Sequence, residues 1–318
     1  MTKSTATGVR STRRLLLTYL SAQIDELRTR EPGARIDSPD AVHRMRVASR
    51  RLRSSLATFR PLFRGSKAQR LRDELQWLGT VLGPVRDVEV MRAHLQETAA
   101  ALVGDADLAN VLAQLDHELA ERHSRAHAEL VTAMDGPRYA ALLATLESFA
   151  IKPPWATRPA KVAARLTLPA LVGRACGRVD RAGRAARAAR VALAGPVAQA
   201  ARNVDGAPVA GGVELHEVRK AAKRARYAAE VAGSSAGPAA HALAEQMEEL
   251  QAVLGRHQDS LMVRALIRDL ADRVTKRQAL ALDLLTGSEQ GADESFLAAY
   301  DQALAAASTN DVRDWTRR

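Results

Sequence analysis

Aromatic residues are scarce: Phe, Tyr and Trp together make up 3% of the chain. Sheets draw on aromatic and β-branched residues, so this scarcity argues against a β fold. It also argues against a site that stacks the bases of single-stranded nucleic acid on aromatic rings. Cysteine is nearly absent. Cys176 stands alone, which excludes an intramolecular disulfide and a cysteine-based metal knuckle and fits a reducing compartment. No run of about 20 apolar residues is present to span a membrane. The opening MTKSTATGVRSTRRLLLTYL carries only a short apolar run before Asp25 and Glu26, without the apolar core and cleavage site of a signal peptide. The expectation is a cytoplasmic protein with no membrane partner. Carboxylates are outnumbered, 36 against 47 Lys and Arg, which leaves a net charge of +11 and an isoelectric point near 10.4. Such a balance favours an acidic partner. What is abundant is Ala, Leu, Arg and Glu, the composition of packed helices, and 318 residues with 47% hydrophobic content suffice for two ordinary domains or one large one.

The most informative stretch is Val42 to Phe59, VHRMRVASRRLRSSLATF. Wound at about 100° per residue, it places Met45, Ala48, Leu52, Leu56 and Phe59 on one stripe and His43, Arg46, Arg50 and Arg53 on roughly the opposite side. An ordinary solvated helix face interleaves carboxylates at i,i+4, and this stretch contains none. The arrangement recurs in LHEVRKAAKRARYAA, Leu215 to Ala229. There His216, Arg219, Lys223 and Arg226 repeat the spacing, Arg224 answers Arg51, and Val218, Ala221 and Ala225 take the apolar positions. A cationic row that recurs in the same register points to an anionic partner.

Taken in order, the chain reads as all-α. A first helix runs from Val9 to about Arg30, with Arg10, Arg13 and Arg14 near its start, and is ended by Glu31-Pro32-Gly33. Ser38 caps the basic helix, which stops at Pro61 and Gly65. A third helix extends from Ser66 to Leu82. Gly83-Pro84 breaks it, and Asp87 caps the next, from Val88 to Leu102. A helix over Asp107–Met134 and a shorter one after Gly136-Pro137, to about Ala150, complete a first half. The turn LGPVRD has a counterpart in LGRHQD, Leu254 to Asp259, so the repeat extends beyond the basic helices. The Pro153-Pro154 pair lies where two equivalent halves should join, giving halves 1–152 and 153–318. The second half holds an Arg-rich helix over Thr167–Leu193, whose Arg174, Arg178, Arg181, Arg184, Arg187 and Arg190 form a slanting stripe. A loop from Gly195 to Gly212 precedes the second basic helix. After a break at Gly233 to Pro238 come helices to Leu254, from Asp259 to Leu285, and from Asp293 to Ala307, with a frayed tail from Asp311.

Other groups attract weaker readings. His43 and His216 suit hydrogen bonding, to phosphate or to a neighbouring helix, better than metal ligation, since no acidic residue shares their helix face. His123 and His127, at i,i+4, lack an evident third ligand and read as an exposed pair. Arg51 and Arg224 lie beside the main row and are read as anion contacts, the alternative being a pairing with acidic residues of a neighbouring helix. Arg14, Arg86 and Lys220 are secondary anion contacts. Cys176 reads as a packing residue. No metal and no cofactor is implied, and neither a carboxylate-held metal nor a positioned nucleophile is evident near the basic helices.

The pattern His-x-x-Arg-x-x-x-Arg-Arg-x-Arg at His43 to Arg53, its relaxed copy at His216 to Arg226, and the Leu-Gly-x-x-x-Asp turn after each resemble the CHAD domain, the conserved histidine α-helical domain. The resemblance covers nearly the whole chain. It implies two pseudo-symmetric four-helix bundles whose basic helices face a shared groove or pore, binding of inorganic polyphosphate, and in some members association with polyphosphate granules. Many members accompany a triphosphate tunnel metalloenzyme domain, signalled by ExExK on a strand. That motif is missing here, so the expectation is a stand-alone, non-enzymatic polyphosphate binder. Nonspecific nucleic-acid binding and a metal-dependent phosphohydrolase or phosphotransferase are the competing readings. The resemblance leaves protein partners open.

Overall fold

The computed structural model describes residues 11–101, 106–156, 163–193, 212–271 and 295–317. The first half is built from α1 (Thr12–Arg35), α2 (Ala41–Thr58), α3 (Lys67–Ala101), α4 (Ala106–Asp135) and α5 (Pro137–Ile151). The second contains α6 (Ala164–Leu193), α7 (Gly212–Ala236), α8 (Pro238–Ala271), α9 (295–306) and the short α10 (Asn310–Arg313). Two 3₁₀ turns, Arg60–Leu62 and Asp314–Thr316, and isolated β-bridges complete the described structure.

Helical periodicity decides which faces are buried. On α1, Leu16, Leu20, Ile24 and Leu27 are essentially inaccessible, and on α2 so are Met45, Ala48, Leu52 and Leu56. The expected core stripes are therefore the observed ones. In the first half α2 packs between α1 and α3, and in the second α7 packs between α6 and α8. The sequence counterparts also meet one another: α2 touches α7, α3 touches α8 and α1 touches α6. A single hydrophobic cluster from Leu15 to Ala307 runs through both halves. This places the two basic helices side by side at the centre of the molecule.

Several expected boundaries are corrected. Pro32 lies inside α1, which continues to Arg35, and Gly83 and Pro84 lie inside a single α3. Proline withholds an N–H from the carbonyl four residues back, a local cost of about 3 kcal/mol. Leu71, Leu75, Leu78, Leu82 and Val85, however, bury one side of α3 without interruption across this point. Leu254 to Asp259 likewise falls within an unbroken α8. Asp87 and Asp259 therefore sit in helix interiors and cap nothing. Ser38 does not cap α2 either; Asp40, at a φ of 60°, precedes that helix without a side-chain bond.

The end of the chain is also ordered where fraying was expected. Arg313, 5% exposed, donates to the Ala307 carbonyl at 2.6 Å and to Asp180 of α6 at 2.6 Å. Thr316 packs against Gly173. At the expected junction, the Arg64 N–H donates to the Pro154 carbonyl at 2.7 Å and the Ala156 N–H to the Leu62 carbonyl at 2.8 Å. The Phe63 and Trp155 rings stack beside them at 5.1 Å. The expected loop before Gly212 and the helix beyond Ala271 fall outside the described residues.

Candidate functional site: a cationic groove between two helices

Two cavities of about 530 and 440 Å³ adjoin along the α2–α7 contact and share Arg46, Arg50, His216 and Lys223. The larger is also lined by His43, Arg86, Arg219 and Arg226, the smaller by Arg53, Lys220 and Arg224. Of the thirteen sequence candidates, eleven thus converge on one groove. Arg14 is exposed on α1 and lines neither cavity. Arg51 faces elsewhere: its Nη2 donates to Glu230 at 3.3 Å and its guanidinium lies 5.6 Å from the Tyr227 ring centroid.

Each copy of the repeat seats its first arginine in the same way. A Cβ at Gly83 would lie 2.8 Å from Arg46 Nη1, and a Cβ at Gly255 would lie 3.3 Å from Arg219 Nη2. The absence of a side chain lets each guanidinium rest on the facing helix. Arg46 then reaches Asp87 at 3.3 Å, and Asp259 exerts the corresponding electrostatic pull on Arg219. The Leu-Gly-x-x-x-Asp segment is therefore an arginine seat within a continuous helix.

The remaining cations divide sharply. Arg226 is neutralised by Glu230 at 3.0 Å and Glu248 at 2.9 Å, Arg86 by Glu89 at 2.8 Å, and Lys220 by Glu217 at 2.7 Å. Among the described residues, no carboxylate forms an ion pair with Arg50, Arg53, Lys223 or Arg224. The Arg50 Nε donates to the Tyr227 hydroxyl at 3.0 Å, which fixes its guanidinium without consuming its charge. Burial, followed by the fields of Arg219, Arg50 and Arg46, lowers the Lys223 amine to about 6. Burial, then Arg86 and Arg50, lowers His43 as well, so in the free protein it is neutral near pH 7. Burial raises Asp259.

Sequence reasoning missed Arg72 of α3, which lines the smaller cavity but has no counterpart in the repeat. It also missed Glu230, which accepts from Tyr19 at 2.7 Å as well as from Arg51 and Arg226. The arginines of α6 do not act as one stripe. Arg178 turns inward towards Arg224 with a buried, unbonded Nε, while Arg190 pairs with Asp301 at 3.0 Å. Cys176 is buried, and burial pushes its thiol up to about 11. His123 and His127 are not the exposed pair expected: His123 lies 3.5 Å from Asp37, and its ligand atom falls within 4.8 Å of those of Asp37 and Glu89. The Glu89 carboxylate also accepts from Arg86 at 2.8 Å. His127 Nε2 contacts the Ala34 carbonyl at 2.8 Å. No helix among the described residues is long and apolar enough to cross a membrane.

The solved structure of PptA from Streptomyces chartreusis is similar, with a TM-score of 0.73 and 23% identity over 93% of this chain and 100% of that one. The CHAD domain from the plant Ricinus communis gives a TM-score of 0.68, also at 23% identity, over 93% of this chain and 91% of that one. Both likenesses concern the all-helical fold. In sequence, Uncharacterized protein MT2285 and Uncharacterized protein Rv2226, from two strains of Mycobacterium tuberculosis, are each 31% identical over 245 residues. That match covers 77% of this chain and 43% of either relative, so the chain spans under half their length. The CHAD domain family model matches residues 18–268, which include both basic helices and both arginine seats. The chain belongs to the CHAD domain family.

Proposed function

We propose that this chain binds inorganic polyphosphate, without chemical turnover, in the groove between α2 and α7. The observation that carries the reading is the convergence of Arg50, Arg53 and Arg224 from two helices around the Lys223 amine, none of these guanidiniums paired with a carboxylate among the described residues. Polyphosphate carries about one negative charge per phosphate and no bases, so it needs rows of donors and no stacking surface. Guanidinium forks suit phosphate oxygens. Neither cavity is lined by Phe, Tyr or Trp among the described residues, which favours this ligand over a single nucleic-acid strand. Family membership agrees with the same ligand class, and attachment to polyphosphate granules is the corresponding role in a cell.

The test is a titration with long-chain polyphosphate, duplex DNA and short phosphates at near-physiological salt, using the wild type and the double variant Arg50→Ala, Lys223→Ala. The expected result is length-dependent polyphosphate binding that the double variant loses and that duplex DNA at equal phosphate does not displace. Equal affinity for every polyanion, or full retention in the double variant, would remove the specific reading. Phosphate release in the presence of Mg²⁺ or Mn²⁺ that is abolished by His43→Ala would overturn the non-enzymatic part.

A further inference from the structure

The two copies of the basic helix differ at one central position, Arg50 in α2 and Lys223 in α7. Lys223 lines both cavities and lies within the fields of Arg219, Arg50 and Arg46. A guanidinium holds its proton at any pH at which a protein folds, whereas an amine does not. When the groove is empty, Lys223 is therefore the member of this group of four that can relieve the mutual repulsion by releasing a proton.

We propose that Lys223 is a proton-coupled anchor: it stands as a neutral amine in the empty groove and takes up one proton from solution when a phosphate chain enters. The proposal rests on the polyphosphate reading of the groove and adds a regulatory property to it. On binding, the N–H bond of an ammonium forms at Nζ, the proton comes from bulk solvent, and the phosphate oxygens supply the counter-charge missing in the empty state. Arg50 at the equivalent position is a permanent cation, so one copy of the repeat binds unconditionally and the other conditionally.

The surroundings support this assignment. From α7, His216, Arg219, Lys220, Arg224 and Arg226 line the same groove as Lys223; from α2, His43, Arg46, Arg50 and Arg53; from α3, Arg72, Arg86 and Asp87; from α8, Glu248 and Asp259. Asp87 is engaged by Arg46, and Glu248 by Arg226. Asp259 is the carboxylate that pulls on Lys223, and burial with three guanidiniums outweighs it. The low value near 6 for the amine accords with this geometry. A multiply charged occupant would reverse the balance and return the amine towards its ordinary value of about 10.4.

The decisive measurement is calorimetric titration of the intact protein with long-chain polyphosphate at pH 8.5, in buffers of different ionisation enthalpy. Histidine and carboxylate groups are deprotonated there in their ordinary ranges, so uptake reports on the amine. The expected result is uptake of nearly one proton per occupied groove, and an affinity that falls by up to about tenfold per pH unit between about pH 8 and 9.5. Lys223→Arg should bind without proton uptake and with a flat pH profile over that interval. Binding by the wild type without uptake, or uptake unchanged in Lys223→Arg, would overturn the proposal and leave the polyphosphate reading standing. No binding at all would overturn both. A side-chain nitrogen NMR titration of the ligand-free protein is a second check: an Nζ that is already an ammonium at pH 8.5 would also sink the proposal.

Discussion

Gly83 shows how a single missing side chain shapes the groove. Replacing it with Ala would put a Cβ 2.8 Å from Arg46 Nη1, and the far end of a flexible side chain can move at little cost to the fold. Ala is also the better helix former, by about 0.8–1 kcal/mol. Gly83→Ala should therefore leave the unfolding free energy within about 1 kcal/mol of wild type while displacing the Arg46 guanidinium. Polyphosphate affinity should fall measurably, a separation that parallel denaturation and binding titrations would reveal. Glu230 should behave in the opposite way. It accepts from Tyr19, Arg51 and Arg226, so Glu230→Ala strands the Arg51 guanidinium and a tyrosine hydroxyl and leaves Arg226 with Glu248 alone. The expected cost is about 2–3 kcal/mol in urea unfolding. Neither role could be read locally: Glu230 meets Arg51 across a separation of 179 residues, and a glycine before a proline reads first as a helix stop.

At the scale of elements, α2 and α7 were legible because periodicity and charge gave the same answer. Their apolar stripes define the core, and what remains on the other side is a row of cations. The repeat added the information that the two rows belong together, and eleven of the candidates now line one groove. Helix ends were less legible. Rules for Gly, Pro and capping weigh about one turn of chain, whereas α3 is held along its length by leucines packing on neighbouring helices. Tertiary burial therefore overrode Pro32, Pro84 and the Leu254–Asp259 segment. The last turn of the chain was misread for the same reason, since Asp180, the partner of Arg313, lies 133 residues away. Arg313→Ala should release that turn and destabilise the protein by roughly 2–4 kcal/mol. The shift would appear in the denaturant midpoint, and limited proteolysis would then begin at the C-terminus.

For the whole molecule, the net charge of +11 and the unpaired cations of the groove make ligand binding strongly dependent on salt. Removing one cation that touches phosphate should flatten the log–log salt dependence by about one unit, so the Arg50→Ala, Lys223→Ala variant should flatten it by about two. Stability should depend on pH as well. The unfolded chain holds the Lys223 proton up to about pH 10.4, whereas the folded, empty protein releases it near 6. Between these values the unfolded state binds more protons, so stability rises with pH. The thermal midpoint of the ligand-free protein should climb from about pH 6.5 to 8.5, and Lys223→Met should flatten that climb.

The glycine seats also set the terms on which the chain can vary. Arg46 and Gly83 occupy a shared volume, as do Arg219 and Gly255, so substitutions at the two members of either pair are not independent. A larger residue at Gly83 becomes tolerable for packing once Arg46 is shortened, but the groove then has one cation fewer. In a library randomised at both positions and sorted only for folding, compensating pairs should survive. Sorted for anion capture, the same library should return arginine opposite glycine, which makes the pair an epistatic signature of the groove rather than of the fold.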